Sequence, residues 1–464
     1  MYKLLLFCIL TGISFVSCQK QSGSGGNTFL MISADTVRFD TVFTATAGIT
    51  QKVKLINNNN QSVSISDITL MGGVNSPFVL NIDGTPGQSA TNLNIQDNDS
   101  LYIFVSVYVR PTATIMSFVL EDSIRIRYNG TEQYIQLRVW GQNAHFLTNQ
   151  VIMGNVNWTK DLPYVIYGGL RIDSNASLTI QPGTHVYLHA DATLTVDGSL
   201  KGIGSAPDSL RIYFNGDRLD QPYASYPGSW PGILFRETSH DNIFNYAVLK
   251  NGYQTIITEG LTQNANPKLS LNQCIIDNAY SNGILAIQSS IHAVNCLISN
   301  CGQNITVELG GIYNFEQCTV ASYSTDLLSH QQPVLSVSNT ASNGSQIFTG
   351  DLQANFSNCI FWGSDGITDE VEIAKTGTTI FQVLFDHTIL KQQNYPANID
   401  SSALFLNIDP LFVSTALTNG SFFDFHLQTG SPAVDMGANL GITVDLNGQP
   451  RPVNLPDLGC YEQP

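Results

Sequence analysis

The sequence is poor in charge. Only 12% of its 464 residues are Asp, Glu, Lys or Arg, about half the usual share of a soluble globular chain. Basic residues are the scarcest: 20 Lys and Arg stand against 36 Asp and Glu, a formal charge of −16. A chain this acidic repels phosphate backbones, which excludes general nucleic-acid binding. Between Lys268 and Lys375 there is no Lys or Arg at all. Long apolar runs are missing beyond the extreme N-terminus, which excludes a polytopic membrane protein. Low charge does not mean disorder here. Hydrophobic residues make up 43%, and disorder needs low hydrophobicity together with high charge. No Cys-x-x-Cys pair supports a zinc site. No Gly-rich phosphate loop and no nucleophile elbow is present.

What is there begins with Met1-Tyr2-Lys3, a short positive start. Leu4 to Val16 is apolar but too short to span a bilayer as a helix. It ends at Phe15-Val16-Ser17-Cys18. A small residue just before a Cys at the end of such a run resembles a bacterial lipobox. That resemblance implies that residues 1–18 form a signal peptide ending at a lipidated Cys18. Residues 19–28 are then a flexible tether, as their Gly/Ser content predicts. The expected location is the outer membrane, held by the lipid, on its periplasmic or extracellular face.

Residues 29–144 read as short strands. Asp35 to Asp40, Gln51 to Ile56, Leu101 to Val109, Asp122 to Tyr128 and Gln133 to Trp140 alternate with a period of two. Turn clusters such as Asn57 to Gln61 and Asn129-Gly130 separate them. About seven such strands without helical periodicity predict an immunoglobulin-like β-sandwich. The span holds no Cys, so no inter-sheet disulfide is available to it.

Residues 145–415 carry a repeat. Cys274, Cys296 and Cys318 stand 22 residues apart. Each opens a similar phrase: Cys274-Ile275-Ile276-Asp277-Asn278, Cys296-Leu297-Ile298-Ser299-Asn300, Cys318-Thr319-Val320-Ala321-Ser322. The phrase recurs as Ala247-Val248-Leu249-Lys250-Asn251, Cys359-Ile360-Phe361-Trp362-Gly363 and His387-Thr388-Ile389-Leu390-Lys391. Positions one and three share a face of a strand. A rung that cannot bury this face alone must stack on copies of itself. The prediction is a parallel β-helix, with Cys274, Cys296 and Cys318 inside it as a reduced thiol ladder beside Ile276, Ile298 and Val320. Asn251, Asn278 and Asn300 fall at turns, where Asn tolerates left-handed backbone. Gly216 to Trp230 reads as a loop leaving the stack.

Trp230-Pro231-Gly232-Ile233 and the Cys phrases resemble right-handed β-helix proteins of the pectate-lyase-like class. Asp409-Pro410-Leu411-Phe412, Ser431-Pro432-Ala433-Val434-Asp435-Met436-Gly437 and Leu458-Gly459-Cys460-Tyr461-Glu462 resemble the C-terminal ends of many such bacterial proteins. The whole chain, including Phe39-Asp40-Thr41-Val42-Phe43, is similar to Bacteroidota lipoproteins with a sandwich before the helix. The resemblance implies an all-β chain: an N-terminal Ig-like β-sandwich, then a right-handed parallel β-helix, with residues 416–464 as a C-terminal capping segment. It implies no single activity, because this fold serves lyases, hydrolases, adhesins and spacers.

The residues narrow the chemistry further. A lyase acting on uronates needs cations to neutralise the substrate carboxylate, or bound calcium in their place. The central rungs lack the cations. Their acids are scattered except for Asp365, Asp369, Glu370 and Glu372, a candidate cation or acid/base cluster that otherwise edges a solvated loop. A glycoside hydrolase needs two carboxylates across the scissile bond, and no Asp or Glu repeats in register with the strand phrases. His240-Asp241 is the nearest approach to an oriented base, but it follows Glu237-Thr238-Ser239 in a turn, and the expected reading is a surface His. The loop from Asp217 to Trp230 places Asp217, Arg218 and Asp220 beside Tyr223 and Tyr226, the ring-and-polar composition on which neutral sugars stack. These five residues are the candidate glycan contacts; the plainer expectation is that Trp230 plugs a rung and Arg218 bridges a neighbouring Asp. The reading is a non-enzymatic, lipid-anchored envelope protein presenting a surface to a glycan or a protein partner. It uses no cofactor, metal or nucleic acid and has no catalytic residue. The alternative is a polysaccharide-active lyase or glycoside hydrolase of the pectate-lyase-like class.

Overall fold

The structure is a computed structural model that describes residues 28–44, 46, 48–112, 117–344, 346–364, 366–416, 423–452 and 455–463. The signal segment, Cys18 and Asp365 lie outside the described residues. No helix among them is long and apolar enough to cross a membrane. The chain divides into two compact units. The first takes residues through Arg38 with Ile49–Val107 and Glu121–Arg138; the second takes Phe39–Gly48, Tyr108–Leu120 and Val139–Pro464.

Ten strands from Met31–Ile32 to Thr131–Gln142 form two five-stranded sheets, with antiparallel pairs such as Thr50–Asn57 against Asp99–Val107. Sequence alternation anticipates about seven strands. The additional ones include Val63–Leu70 and Ser89–Ile95, which pair with each other. Val63, Ile65, Ile68 and Leu70 are buried on one side of their strand. The two-residue period of an extended chain pairs Val63 with Ile65 and Ile68 with Leu70, and a register shift between Ile65 and Asp67 brings the two pairs to the same side.

From His145 onward the chain is built differently. Twenty-four strands join in one sheet, and its pairings are parallel. Each strand bonds to the equivalent strand of the next turn, as Leu194–Val196 does to Ile233–Phe235 and then Gln254–Glu259. Three strand columns repeat along the coil, a pattern compatible with a parallel β-helix.

The Cys phrase explains why the turns stack. Leu249, Ile276, Ile298, Val320, Phe361 and Leu390 form one column in register, every one fully buried. Burying each such side chain contributes about 1.5–3 kcal/mol. Beside it run Ala247, Cys274, Cys296, Cys318 and Cys359, also fully buried, the thiols free. Each Sγ–H donates at 3.3 Å to the carbonyl two residues back, as Cys274 does to Asn272 and Cys318 to Glu316. Burial pushes the Cys274, Cys296 and Cys318 thiols well up, which keeps them protonated and unreactive.

One register expectation is corrected. Ile360 pairs with Ile389, so Thr388, not His387, holds the cysteine position. Thr388 is fully buried, and its hydroxyl donates to Asp386 O at 2.9 Å in the manner of the thiols. His387 takes the preceding turn position, with φ +45°, where Asn295, Gln317 and Asn358 stand in earlier turns. The turns after the phrase do use Asn251, Asn278 and Asn300, with φ between +51° and +63°. Their side chains link turns: Asn278 donates to Asn251 at 2.7 Å, and Asn251 to Asn215 at 2.9 Å.

The C-terminal segment lies along the flank of the coil. Phe412, Phe425, Leu427, Leu458 and Tyr461 cover the outward residues Leu297, Ala321, Ile360 and Ile389. Arg211 donates to Gln273 O and Leu446 O. Arg451 ties Glu462 to Asn295, and Asn358 exchanges two bonds with Ala438. The segment therefore straps several successive turns together, and these contacts fall beside the coil rather than across its end.

Candidate functional site

The Asn ladder positions two exposed rings. Tyr253 and Tyr280 each follow a ladder Asn by two residues, in Asn251-Gly252-Tyr253 and Asn278-Ala279-Tyr280. Consecutive turns thus hold them one above the other. Their centroids are 5.4 Å apart with planes at 19°, and they are 48% and 52% exposed. Stacked rings left half open to water are a ready platform for the apolar face of a planar ligand.

The loop from Asp217 to Trp230 sits beside them. Asn251 donates to Ala224 O and Asn278 to Ser225 O, both at 3.0 Å, so the ladder that sets the tyrosines also pins the loop. Gly228 lies against the tyrosine pair: a Cβ there would stand 3.2 Å from Tyr280 Cβ and 3.7 Å from the Tyr253 ring. Its φ of +77° further favours glycine. Tyr223, 44% exposed, meets Tyr226 edge-on at 5.2 Å.

The five loop residues divide into two groups. Arg218 grips Asp220 with two bonds of 2.7 and 2.8 Å and lays its guanidinium 4.1 Å from the Tyr223 ring centre. Asp220 is buried, and its hydrogen bond raises the pKa of Arg218 further. Asp217 points elsewhere, to His189 Nδ1 at 2.8 Å. There it helps burial raise the pKa of Tyr167 to about 12. Trp230 is fully buried, and its indole N–H donates to Lys250 O at 2.7 Å. Arg218, Asp220, Tyr223 and Tyr226 therefore form one patch, which Tyr253 and Tyr280 extend. The repeated Asn-x-Tyr was the signal for those two residues, and it lies just past the strand phrase that marks the repeat.

Of the acidic group between residues 365 and 372, the described members Asp369, Glu370 and Glu372 are not brought together. Asp369 accepts the backbone N–H groups of Gln393 and Asn394, and the Asn394 bond lowers its pKa most. Glu370 is fully buried against His330 at 3.0 Å. Glu372 lies exposed on the strand Val371–Ala374. Only Glu372 lies on that strand; Asp369 and Glu370 precede it and are committed to different partners, so closeness in sequence does not make a cluster.

Elsewhere on the coil a recess of about 440 Å³ is lined by residues that include Arg171, Asp197, Arg236, Glu237 and Glu259. Asp197 is clamped by Arg171 and Arg236, and the Arg236 bond in particular lowers its pKa. Glu237 and Glu259 make no ion pair among the described residues. Lys268 is buried behind them, donating to Arg236 O, Glu237 O and Ser239 O, and burial lowers its pKa to about 8. It is not a cation open to a substrate. His240 pairs with Asp241 at 2.8 Å on the surface. No group of three or more metal-ligating side chains occurs among the described residues.

No protein-family profile matches the sequence, and no curated protein does. Among solved structures, a family 123 glycoside hydrolase from Clostridium perfringens is similar at 12% identity over 29% of this chain, with a TM-score of 0.20. The chain spans 31% of that enzyme's length. The Agl-KA catalytic domain is similar at 9% identity over 78% of this chain and 89% of its own, with a TM-score of 0.31. A protein of unknown function from Porphyromonas gingivalis W83 is 10% identical over 27% of this chain and 59% of its own, with a TM-score of 0.18. Likenesses this distant carry no residue roles to this chain.

Proposed function

We propose that the protein is a binding protein for a neutral glycan, presented on a right-handed parallel β-helix. The observation that carries the reading is the exposed Tyr253–Tyr280 stack, continued by Tyr223, Tyr226 and the Arg218–Asp220 pair. Rings take the apolar faces of sugars, and the half-exposed Arg218 guanidinium, held in place by the buried Asp220, orients hydroxyls. Arg218 has its charge balanced by Asp220 and offers no free cation to an acidic sugar. The N-terminal unit is an Ig-like β-sandwich, and a lipid on Cys18 holds the chain at the outer membrane. The test is a glycan-array and polysaccharide-binding screen of the protein beside a Tyr253→Ala/Tyr280→Ala variant. The wild type should retain neutral polysaccharides that the variant releases; equal retention by both would remove the stack from the reading.

A second reading rests on Glu237 and Glu259, two carboxylates sharing one recess. Opposed carboxylates are what a glycoside hydrolase uses as acid and as base or nucleophile. Release of reducing ends from a neutral polysaccharide, lost in both Glu237→Gln and Glu259→Gln, would establish it. The same screen without product release leaves the binding reading standing.

A further inference from the structure

The tyrosine column stops after two turns. Tyr253 and Tyr280 stand two residues after Asn251 and Asn278; Asn300 is followed at the same distance by Gly302. A Cβ on Gly302 would lie 2.4 Å from the Tyr280 carbonyl oxygen, so no side chain fits there. Where the third ring would stand there is a recess of about 490 Å³ with Tyr280 on its edge. That volume is within the usual range of small-ligand pockets, about 300–1,000 Å³.

The lining has one chemical character. Tyr280, Asn282 and Gln303 come from the coil; Leu328, Ser329 and Gln332 come from the segment between the strands Thr319–Ser322 and Leu335–Ser338. None of the residues around the recess is charged. Gln303 Oε1 accepts from Thr306, and its amide NH₂ donates to nothing among the described residues. Gln332 is exposed and likewise uncommitted there. Free amides beside an aromatic ring match a sugar that shows hydroxyls and an apolar face, and they offer no counter-charge to a uronate.

The outer wall is built in advance. Thr325 Oγ1 accepts the N–H groups of Leu327 and Leu328, and Ser324 Oγ accepts that of His330. The His330 side chain then turns inward, 1% exposed, to reach both oxygens of Glu370 at 3.0 and 3.2 Å. Glu370 also accepts Val334 N–H, which fixes the far end of the wall. Gly363 makes room for the pair: a Cβ there would stand 2.0 Å from Glu370 and 2.6 Å from His330. A wall ordered beforehand does not have to be ordered on binding, which favours affinity.

We propose that this recess is a further subsite for a neutral sugar unit, continuing the chain that lies on Tyr253 and Tyr280. Tyr280 is its platform, Gln303 and Gln332 are its hydrogen-bonding groups, and His330 and Glu370 are positioning residues of its wall. The inference rests on the neutral-glycan reading of the tyrosine stack. Isothermal titration with short and long oligosaccharides of β-glucan, β-mannan and xylan tests it, with folding checked by circular dichroism. Wild-type affinity should rise about tenfold from the short to the long member of the series that binds. Gln303→Ala should abolish that rise, and so should Glu370→Ala, while Glu370→Asp restores part of it. Destabilisation alone would lower both lengths in proportion and leave the ratio intact. If Tyr280→Ala removes binding but Gln303→Ala keeps the wild-type ratio, the recess is not a subsite although the stack reading survives. A wild type that binds none of the probes overturns the stack reading and the subsite with it. Preference for oligogalacturonate over the neutral probes would overturn the proposed chemistry of the recess.

Discussion

Replacing Ile298 with Asp tests the register of the coil directly. Ile298 is fully buried and lies in register between Ile276 and Val320, both equally buried. Losing a buried Ile side chain costs about 2–5 kcal/mol. The introduced carboxyl adds about 1–3 kcal/mol as an unpaired buried polar group, more if it stays ionised. The expected loss is therefore about 3–8 kcal/mol, a large part of the roughly 5–15 kcal/mol that holds a domain folded. Burial raises the folded-state pKa of the new carboxyl above its unfolded value. Its penalty is then smallest at or below about pH 4 and grows as pH rises toward neutrality. Urea unfolding followed by circular dichroism at pH 4 and pH 7 measures both effects. Ser270→Asp is the control, because Ser270 lies on the outward side of the strand Leu269–Asn272, between two buried leucines. It should change stability by no more than about 0.5 kcal/mol. Equal costs for the two variants would refute the inward placement of the column.

Three further outcomes are expected. Asp197→Asn should cost about 1–2 kcal/mol by thermal melting, a modest figure because Arg171 and Arg236 are half exposed. The Asp197 pKa is lowered, chiefly by Arg236, so its contribution is present above about pH 4 and lost as pH falls below it. The variant should flatten that part of the acid melting profile, and an unchanged profile would count against the clamp. The buried thiols should resist iodoacetamide in the native protein and react only on denaturation; rapid native alkylation of Cys274, Cys296 or Cys318 would contradict their inward placement. Cys18→Ala should move the protein from the membrane to the soluble fraction, and unchanged membrane association would sink the lipid anchor.

How much of this was legible in the sequence depends on distance along the chain. The 22-residue cysteine spacing is a local signal, and it located the inward column because each turn buries the same positions. The slip at His387 has a physical cause: after Ala247, what recurs at the first position is a buried side chain whose S–H or O–H satisfies a nearby carbonyl, and Thr388 meets that need. Asn251, Asn278 and Asn300 were readable as turns for their tolerance of positive φ. Tyr253 and Tyr280 carry no strand pattern and go unmarked in the sequence reading; only the Asn-x-Tyr recurrence after the strand phrase could point to them. The acids near residue 370 looked clustered because sequence proximity does not show their partners, which lie far along the chain: Gln393 and Asn394 for Asp369, and His330 for Glu370. Glu370 with His330, and Arg451 with Asn295, join residues 40 and 156 positions apart; no local pattern announces such pairs.

The most direct test of the central claim is the salt dependence of polysaccharide binding. Recognition by rings and amides involves no net charge neutralisation, so affinity for a neutral polysaccharide should stay nearly constant from low to high ionic strength. Tyr223→Ala/Tyr226→Ala should weaken it at every salt concentration. Heparin and pectin should bind poorly without calcium, and most poorly at low salt, where the chain's −16 charge is least screened. Tight binding of either polyanion at low salt, falling as salt rises, would contradict the account, as would neutral-glycan binding that the tyrosine variant leaves undiminished.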